Sequence, residues 1–273
     1  MDRRVPPHPG FPPQGGKGLD APRTTEAALN APLPRAGEGP GARALRPDLG
    51  RRPPAVLCDF DDTVAVQNVA EVLLERFGDG TWRELREAFR RREVTLKEYQ
   101  EEAFRRLSVT RQAMQQAVRE VCCARPGFVA LWRHCQERGY PLAIVTHGLD
   151  FYVEALLERE GLPEVPYYAV ATTFDGAGIR YLYKHTQVGC TAWGNCKCAV
   201  LERYRRQGHR VVFVGDGRSD TCPAIRADVV FARSSLLRFC QEQGLPHHPF
   251  EDFHGVLAVL REWEQGPTPC PLP

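Results

Sequence analysis

Three carboxylates, Asp59, Asp61 and Asp62, follow directly on the apolar run Ala55 to Cys58 in the stretch PAVLCDFDDTV. Two later apolar runs also end in compact polar groups: Leu142 to Val145 leads into Thr146, His147 and Gly148, and Val211 to Val214 leads into GDGRSD, Gly215 to Asp220. A helix beginning near Asn195 to Lys197, in GNCKCAVLERY, adds one cation, Lys197. If Asp59, Asp61, Asp216 and Asp220 converge, each close pair repels by roughly 4 kcal/mol at an effective dielectric near 20. Something positive must therefore complete the group. Oxygen ligands without clustered histidine favour Mg²⁺, which typically takes one or two carboxylates, several waters and a phosphate oxygen. A metal and a lysine facing carboxylates suit a phosphate group, whose developing charge they stabilise.

The elements that must position these residues are legible as a change of pattern at Ala55. Short apolar runs, Ala55 to Cys58, Leu142 to Val145, Val211 to Val214 and Val229 to Phe231, alternate with amphipathic stretches. That is the sign of strands and helices around a parallel sheet covered on both faces. In such a sheet, working groups gather beyond the carboxyl ends of the strands, where Asp59, Thr146 and Asp216 all fall. The expected fold is a doubly wound α/β core, residues 55–68 and 124–264, with a helical cap inserted at 69–123. Four helical segments are expected there, Val69 to Phe77, Trp82 to Arg92, Lys97 to Leu107 and Arg111 to Cys123, with a capping box at Thr95 and Glu98. A crossover needs only one helix, so the others read as an added module. Gly127 to Arg138 should lead back to the sheet after Pro126, and a small hairpin is expected near 172–194, around Asp175, Gly176 and Gly178.

Residues 1–54, rich in Pro, Gly, Ala and Arg, read as a disordered leader, and 265–273 as a flexible tail. A net charge of +2 with 26% charged residues points to neither nucleic acid nor an anionic membrane as partner. No apolar run approaches the roughly 18 to 20 residues that span a bilayer, and the N-terminus lacks the apolar centre of a signal peptide. The expected location is the cytoplasm, with the ten cysteines as reduced thiols. Cys190, Cys196 and Cys198, with Cys222 as a fourth candidate, raise the questions of a zinc site and of a redox pair. Their C-x5-C-x-C spacing lacks the paired knuckles of structural zinc sites, and ordinary packing is the simpler reading. Oligomeric state is not legible.

The order DxDxT, strand-end Thr, helix-opening Lys, then GDGxSD, from Asp59 to Asp220, resembles the haloacid-dehalogenase superfamily of aspartate-nucleophile phosphatases. Its members share a Rossmann-like core. The helical insertion is similar to that of the phosphoserine-phosphatase-like branch. THGLDFYVEALLE, GNCKC and FARSSLLRFCQEQGLPHHPFEDF look like the 2-hydroxy-3-keto-5-methylthiopentenyl-1-phosphate phosphatases of methionine salvage, over roughly Ala55 to Trp263. The cysteine-containing segment and GDGRSDTCP are also similar to phosphoethanolamine and phosphocholine phosphatases.

The resemblance implies a Mg²⁺-dependent phosphomonoesterase acting on a small metabolite. Asp59 would be the nucleophile and Asp61 the proton donor and acceptor. Thr146 and Lys197 would bind phosphoryl oxygens, and Asp59, the Asp61 carbonyl, Asp216 and Asp220 would hold or orient the metal. Gln67 and Asn68, beside the first motif, are expected at a hinge, where they either read substrate or simply begin a helix. Gly148 and the amides near Phe60, Asp61 and His147 are expected as further phosphate donors. Thr63 and Asp62 are expected to be structural. Two positions depart from the family pattern: Asp62 stands where many relatives carry Gly, and His147 where the methionine-salvage relatives carry a small residue. The added imidazole either contacts the leaving group or fills space. Arg83, Arg86 and Arg90 share a helical spacing, which a solvated face explains as well as a substrate contact. A phosphotransferase using the same aspartyl-phosphate, and a non-catalytic scaffold, are the alternatives from other classes.

Overall fold

The computed structural model describes residues 52–175, 178–187 and 193–265, so all but the end of the expected leader, and residues 266–273 of the expected tail, lie outside the described residues. Seven strands form one sheet: β1 (Pro54–Cys58), β2 (Leu142–Leu149), β3 (Tyr167–Asp175), β4 (Gly178–Leu182), β5 (Arg210–Gly215), β6 (Val229–Ala232) and β7 (His247–Pro249). They lie in the order β4-β3-β2-β1-β5-β6-β7, and every neighbouring pair is parallel except β3 and β4. The chain works outward from β1 through β2 and β3, then returns to lay β5 on the other flank of β1. This reversal creates the crevice at which doubly wound sheets bind ligands, at the carboxyl ends of β1, β2 and β5.

Every residue of β1 is buried, as a central strand covered on both faces requires. Its alternate residues serve two cores. Val56 and Cys58 face one, with Phe128, Phe151 and Phe253, while Ala55 and Leu57 face a smaller one under Val200, Leu201 and Tyr204. The helices behind these contacts are α5 (Phe128–Arg138), α6 (Asp150–Arg159), α7 (Lys197–Arg206) and α10 (Phe253–Glu264), with α8 (Thr221–Arg226) and α9 (Ser234–Glu242) beside β6.

Between β1 and β2 the chain forms α1 (Val69–Phe77), α2 (Trp82–Arg90), α3 (Leu96–Arg105) and α4 (Arg111–Val121). The Thr95 and Glu98 capping box is present and starts α3. The segment leaves and rejoins the sheet through paired linkers: Val66 N–H donates to the Cys123 carbonyl and Arg125 N–H to that of Val64. Arg119 pairs with Glu158 at 2.6 Å and the Gln115 amide donates to the Phe151 carbonyl at 3.0 Å, which fastens α4 onto α6. None of the helices among the described residues is long and apolar enough to cross a membrane.

One element begins earlier than the sequence suggests. The hairpin read from Thr172 is the outer half of β3, whose first residues, from Tyr167, pair in parallel with β2. The burial of β3 switches partway from core to solvent, so no single periodicity marks it.

Candidate active site

Beyond Cys58 the backbone turns sharply over Phe60–Val64, with Asp62 left-handed at φ 58°, a conformation that Asp tolerates better than most side chains. Arg125 holds this turn by donating to the carbonyls of Asp62 (2.7 Å) and Thr63 (2.8 Å). The Thr63 hydroxyl donates to Asp216 Oδ1 at 3.1 Å and so ties the first loop to the loop after β5.

Lys197, at the start of α7, is 3% exposed and donates through Nζ to Asp59 Oδ1 at 2.6 Å and Asp220 Oδ1 at 2.7 Å. Asp220 Oδ2 accepts the amides of Asp216 and Gly217, both at 3.1 Å. Both oxygens of Asp220 thus have protein partners, and its visible work is to fix Lys197 and the GDG turn. Asp59, Asp216 and Asp220 each present an oxygen within 4.8 Å of the others, and no other group of three such ligand residues occurs among the described residues. The positive charge is insufficient. Burial first, then the neighbouring carboxylates, hold Asp59 well above the usual carboxylate range despite Lys197, and raise Asp216 to about 7. An all-oxygen cluster short of one cation fits Mg²⁺ chemically, with Asp59 and Asp216 offering side-chain oxygens.

Asp61 stands apart from that cluster. Its Oδ1 accepts the Val69 amide at 2.7 Å, at the N-terminus of α1, and Tyr152 donates to its Oδ2 at 3.4 Å. Burial raises it to about 7, and the bonds from the helix amides oppose the rise. A carboxyl poised there can both give and take a proton near neutrality.

At the end of β2, Gly148 N–H donates to Thr146 Oγ1 at 2.8 Å. The Gly148 amide, expected as a phosphate donor, is thereby occupied, and the Thr146 hydroxyl proton is left to point elsewhere. A Cβ at Gly148 would lie 2.3 Å from the Tyr152 hydroxyl, so the glycine is required by close packing. His147 is buried and stacks on Trp193 with ring centroids 5.6 Å apart. Burial and the nearby Lys197 push it well below the usual imidazole range, so it is neutral.

Asp59, Asp61, Thr146, His147, Gly148, Tyr152, Lys197 and Asp216 line one cavity of about 300 Å³ whose far wall comes from α1, α2 and α3: Leu74, Arg86, Phe89, Arg90, Leu96, Tyr99, Gln100 and Phe104. Asn68 also lines it while capping α1, its Oδ1 accepting the Glu71 amide at 3.0 Å. Gln67 does not line this cavity. Its side-chain amide donates to the Val121 carbonyl and accepts from Cys123 N–H, so it clasps the two linkers at the hinge where it was expected, and its amide is taken up there, away from the cavity lining. Arg86 and Arg90 reach the cavity whereas Arg83 does not line it. Phe89 closes the cavity edge between the Arg218 guanidinium, 5.0 Å from its ring, and Trp193 at 6.3 Å. The roles of Tyr152, Phe89, Trp193 and Gln100 escaped the sequence reading; only the Leu96, Gln100, Phe104 spacing of i, i+4, i+8 could have marked one face of α3.

Cys190 lies outside the described residues. Cys198 lies within S–H hydrogen-bonding reach of Cys196 and Cys222, but these thiols do not form a metal-ligand group of the kind the three aspartates form.

A family model described as haloacid dehalogenase-like hydrolase matches residues 56–223. The chain is 31% identical over 216 residues to a protein of Brevibacillus brevis named 2-hydroxy-3-keto-5-methylthiopentenyl-1-phosphate phosphatase, with 77% of this chain and 96% of that one covered. It is 33% identical over 215 residues to the protein of the same name from Geobacillus kaustophilus, with 77% and 96% covered. Among solved structures, a probable phosphoserine phosphatase from Vibrio cholerae has a TM-score of 0.62 at 19% identity, over 82% of this chain and 69% of that one. A phosphoserine phosphatase bearing a phospho-aspartyl intermediate analogue has a TM-score of 0.58 at 17% identity, over 75% and 97%. At those identities the two structures speak to the fold.

Proposed function

The chain belongs to the haloacid dehalogenase-like hydrolase family and is a phosphomonoester hydrolase, and from that premise we propose that it hydrolyses 2-hydroxy-3-keto-5-methylthiopentenyl-1-phosphate through an aspartyl-phosphate on Asp59. The observation that carries the substrate assignment is the cavity: a floor of Asp59, Asp61, Thr146 and Lys197 faces a wall containing Leu74, Phe89, Leu96 and Phe104. The floor suits a phosphate and the wall an uncharged thioether tail. Arg86 and Glu71, which a zwitterionic tail such as that of phosphoserine would recruit, already pair with each other at 2.8 Å.

In this reading Lys197 engages one oxygen of Asp59 and leaves the other to attack phosphorus. The bond from phosphorus to the leaving oxygen breaks as Asp61 delivers its proton there, and Asp61 then takes a proton from the water that hydrolyses the aspartyl-phosphate. Thr146 donates its hydroxyl to a phosphoryl oxygen. Asp59, Asp216 and the Asp61 carbonyl would hold Mg²⁺, with Asp220 fixing the loop beside them. The bound ion supplies charge neutralisation to the phosphoryl oxygens. The segment 69–123 acts as a cap that keeps water from the first half-reaction, with Gln67 at its hinge. Neutral His147, stacked on Trp193, fills and shapes the phosphate end. Cys58, Cys122, Cys123, Cys135, Cys198, Cys222 and Cys240 are thiols, which suits a reducing cytoplasm.

The test is phosphate release with Mg²⁺ from this substrate against phosphoserine, phosphoethanolamine and phosphocholine. At least a tenfold higher kcat/KM for the first is expected, since about 1.4 kcal/mol of differential binding suffices for it. Equal or lower activity overturns the assignment. Added alcohols should leave phosphate release unchanged, and a matching yield of new ester would show a phosphotransferase instead.

A further inference from the structure

Along α3, Leu96, Gln100 and Phe104 are spaced i, i+4 and i+8 and so stand on one face of the helix, and all three line the catalytic cavity. The outer two are apolar, as are Leu74 and Phe89 on the same wall, which also carries Arg86, Arg90 and Tyr99. Gln100 is a primary amide set into this wall. It is 9% exposed, and its Nε2 is buried with no hydrogen-bond partner. Buried side-chain donors are nearly always paired, because an unpaired one forfeits the bonds it made to water. Gln100 caps no helix, and its Nε2 makes no bond that would account for an amide here where Leu or Met would fill the same space. The terminal torsion of Gln is broad and twofold, which lets the NH₂ turn toward an acceptor entering the cavity.

We propose that Gln100 is a specificity-determining residue, whose side-chain NH₂ donates to a carbonyl or hydroxyl oxygen on the carbons next to the phosphate-bearing carbon of the substrate. The inference rests on the phosphomonoesterase reading and narrows it: the preferred substrates are oxygenated in the tail. A bare alkyl phosphate leaves the amide unpaired, and a tail whose only polar group there is an ammonium offers it no acceptor. Gln100 touches no reacting atom and takes no part in the phosphoryl transfer.

The experiment compares dihydroxyacetone phosphate with n-propyl phosphate, which share a chain length and differ in the oxygens, in the full-length protein with Mg²⁺. The wild type should prefer the oxygenated ester by roughly tenfold or more in kcat/KM, the worth of one well-placed hydrogen bond. Gln100→Met keeps the volume and removes the amide, and it should collapse that ratio toward unity mainly through KM. Gln100→Glu replaces the donor by an acceptor and should drive the ratio lower still. A ratio unchanged in both variants overturns the inference, as does a wild type with no preference. The readout is a ratio within each preparation, so partial misfolding of a variant cancels. Failure of the methylthiopentenyl substrate would be seen separately, because neither probe depends on it.

Discussion

Replacing Lys197 by methionine removes the cation that, among the described residues, contacts both Asp59 and Asp220, in a site where Lys197 is 3% exposed. At 2.6 and 2.7 Å and an effective dielectric near 20, each contact contributes roughly 6 kcal/mol of Coulomb attraction. Desolvating the buried ions offsets several kcal/mol of this, so the net loss on breaking the pair is about 3–5 kcal/mol. For a domain of this size each kcal/mol moves Tm by about 2–4 °C, so metal-free Lys197→Met should melt roughly 6–20 °C below the wild type. The remaining carboxylates then lack their counter-ion, so Mg²⁺ should raise the Tm of the variant more than that of the wild type. Turnover should fall by about 10²–10³-fold, because the charge facing the phosphoryl oxygens and Asp59 is lost. Differential scanning fluorimetry with and without Mg²⁺, beside phosphate release, reads both. A variant melting within about 2 °C of the wild type and keeping over about a tenth of its kcat would refute the assignment.

Two further consequences concern the neighbours of this pair. Asp61 and Asp216 are both raised to about 7 from 3.8, so the folded metal-free protein holds protons that the unfolded chain releases near pH 4. Stability in EDTA should therefore decline as pH rises from about 4 to about 7 and level off above, and Mg²⁺ should flatten the decline; a rise over that interval at these sites would contradict the burial argument. Gly148→Ala drives a Cβ to 2.3 Å from the Tyr152 hydroxyl, inside a fully buried contact. Overpacking of this kind costs about 1–3 kcal/mol, and the cost should be smaller in a Tyr152→Phe background, as a double-mutant cycle by thermal melting would show; equal costs would place the clash elsewhere.

The sequence by itself determined which chemistry-bearing residues come to one rim of the sheet. Asp59, Thr146, Lys197 and Asp216 each stand beside an apolar run or at a helix start, and a parallel sheet delivers strand ends to one rim whatever the details of packing. The four helices after β1 were legible for the same reason, since local periodicity and the Thr95 cap are properties of neighbouring residues. Tertiary structure alone decided what surrounds that chemistry. At the hinge, Gln67 was left between reading substrate and beginning a helix, and the backbone groups of Val121 and Cys123, more than fifty residues away, take both ends of its amide. The Gly148 amide went to Thr146, and Tyr152 reached Asp61 from 91 residues away. The start of β3 stayed hidden because its residues pass from core to solvent within one strand. Gln100, an ordinary helical glutamine by sequence, became an amide with an unpaired Nε2 in the cavity wall only when α3 was laid across the cavity. Spacing along the chain fixes which residues can share a helix face or a strand end, whereas partners distant in sequence are chosen by packing, which no local pattern encodes.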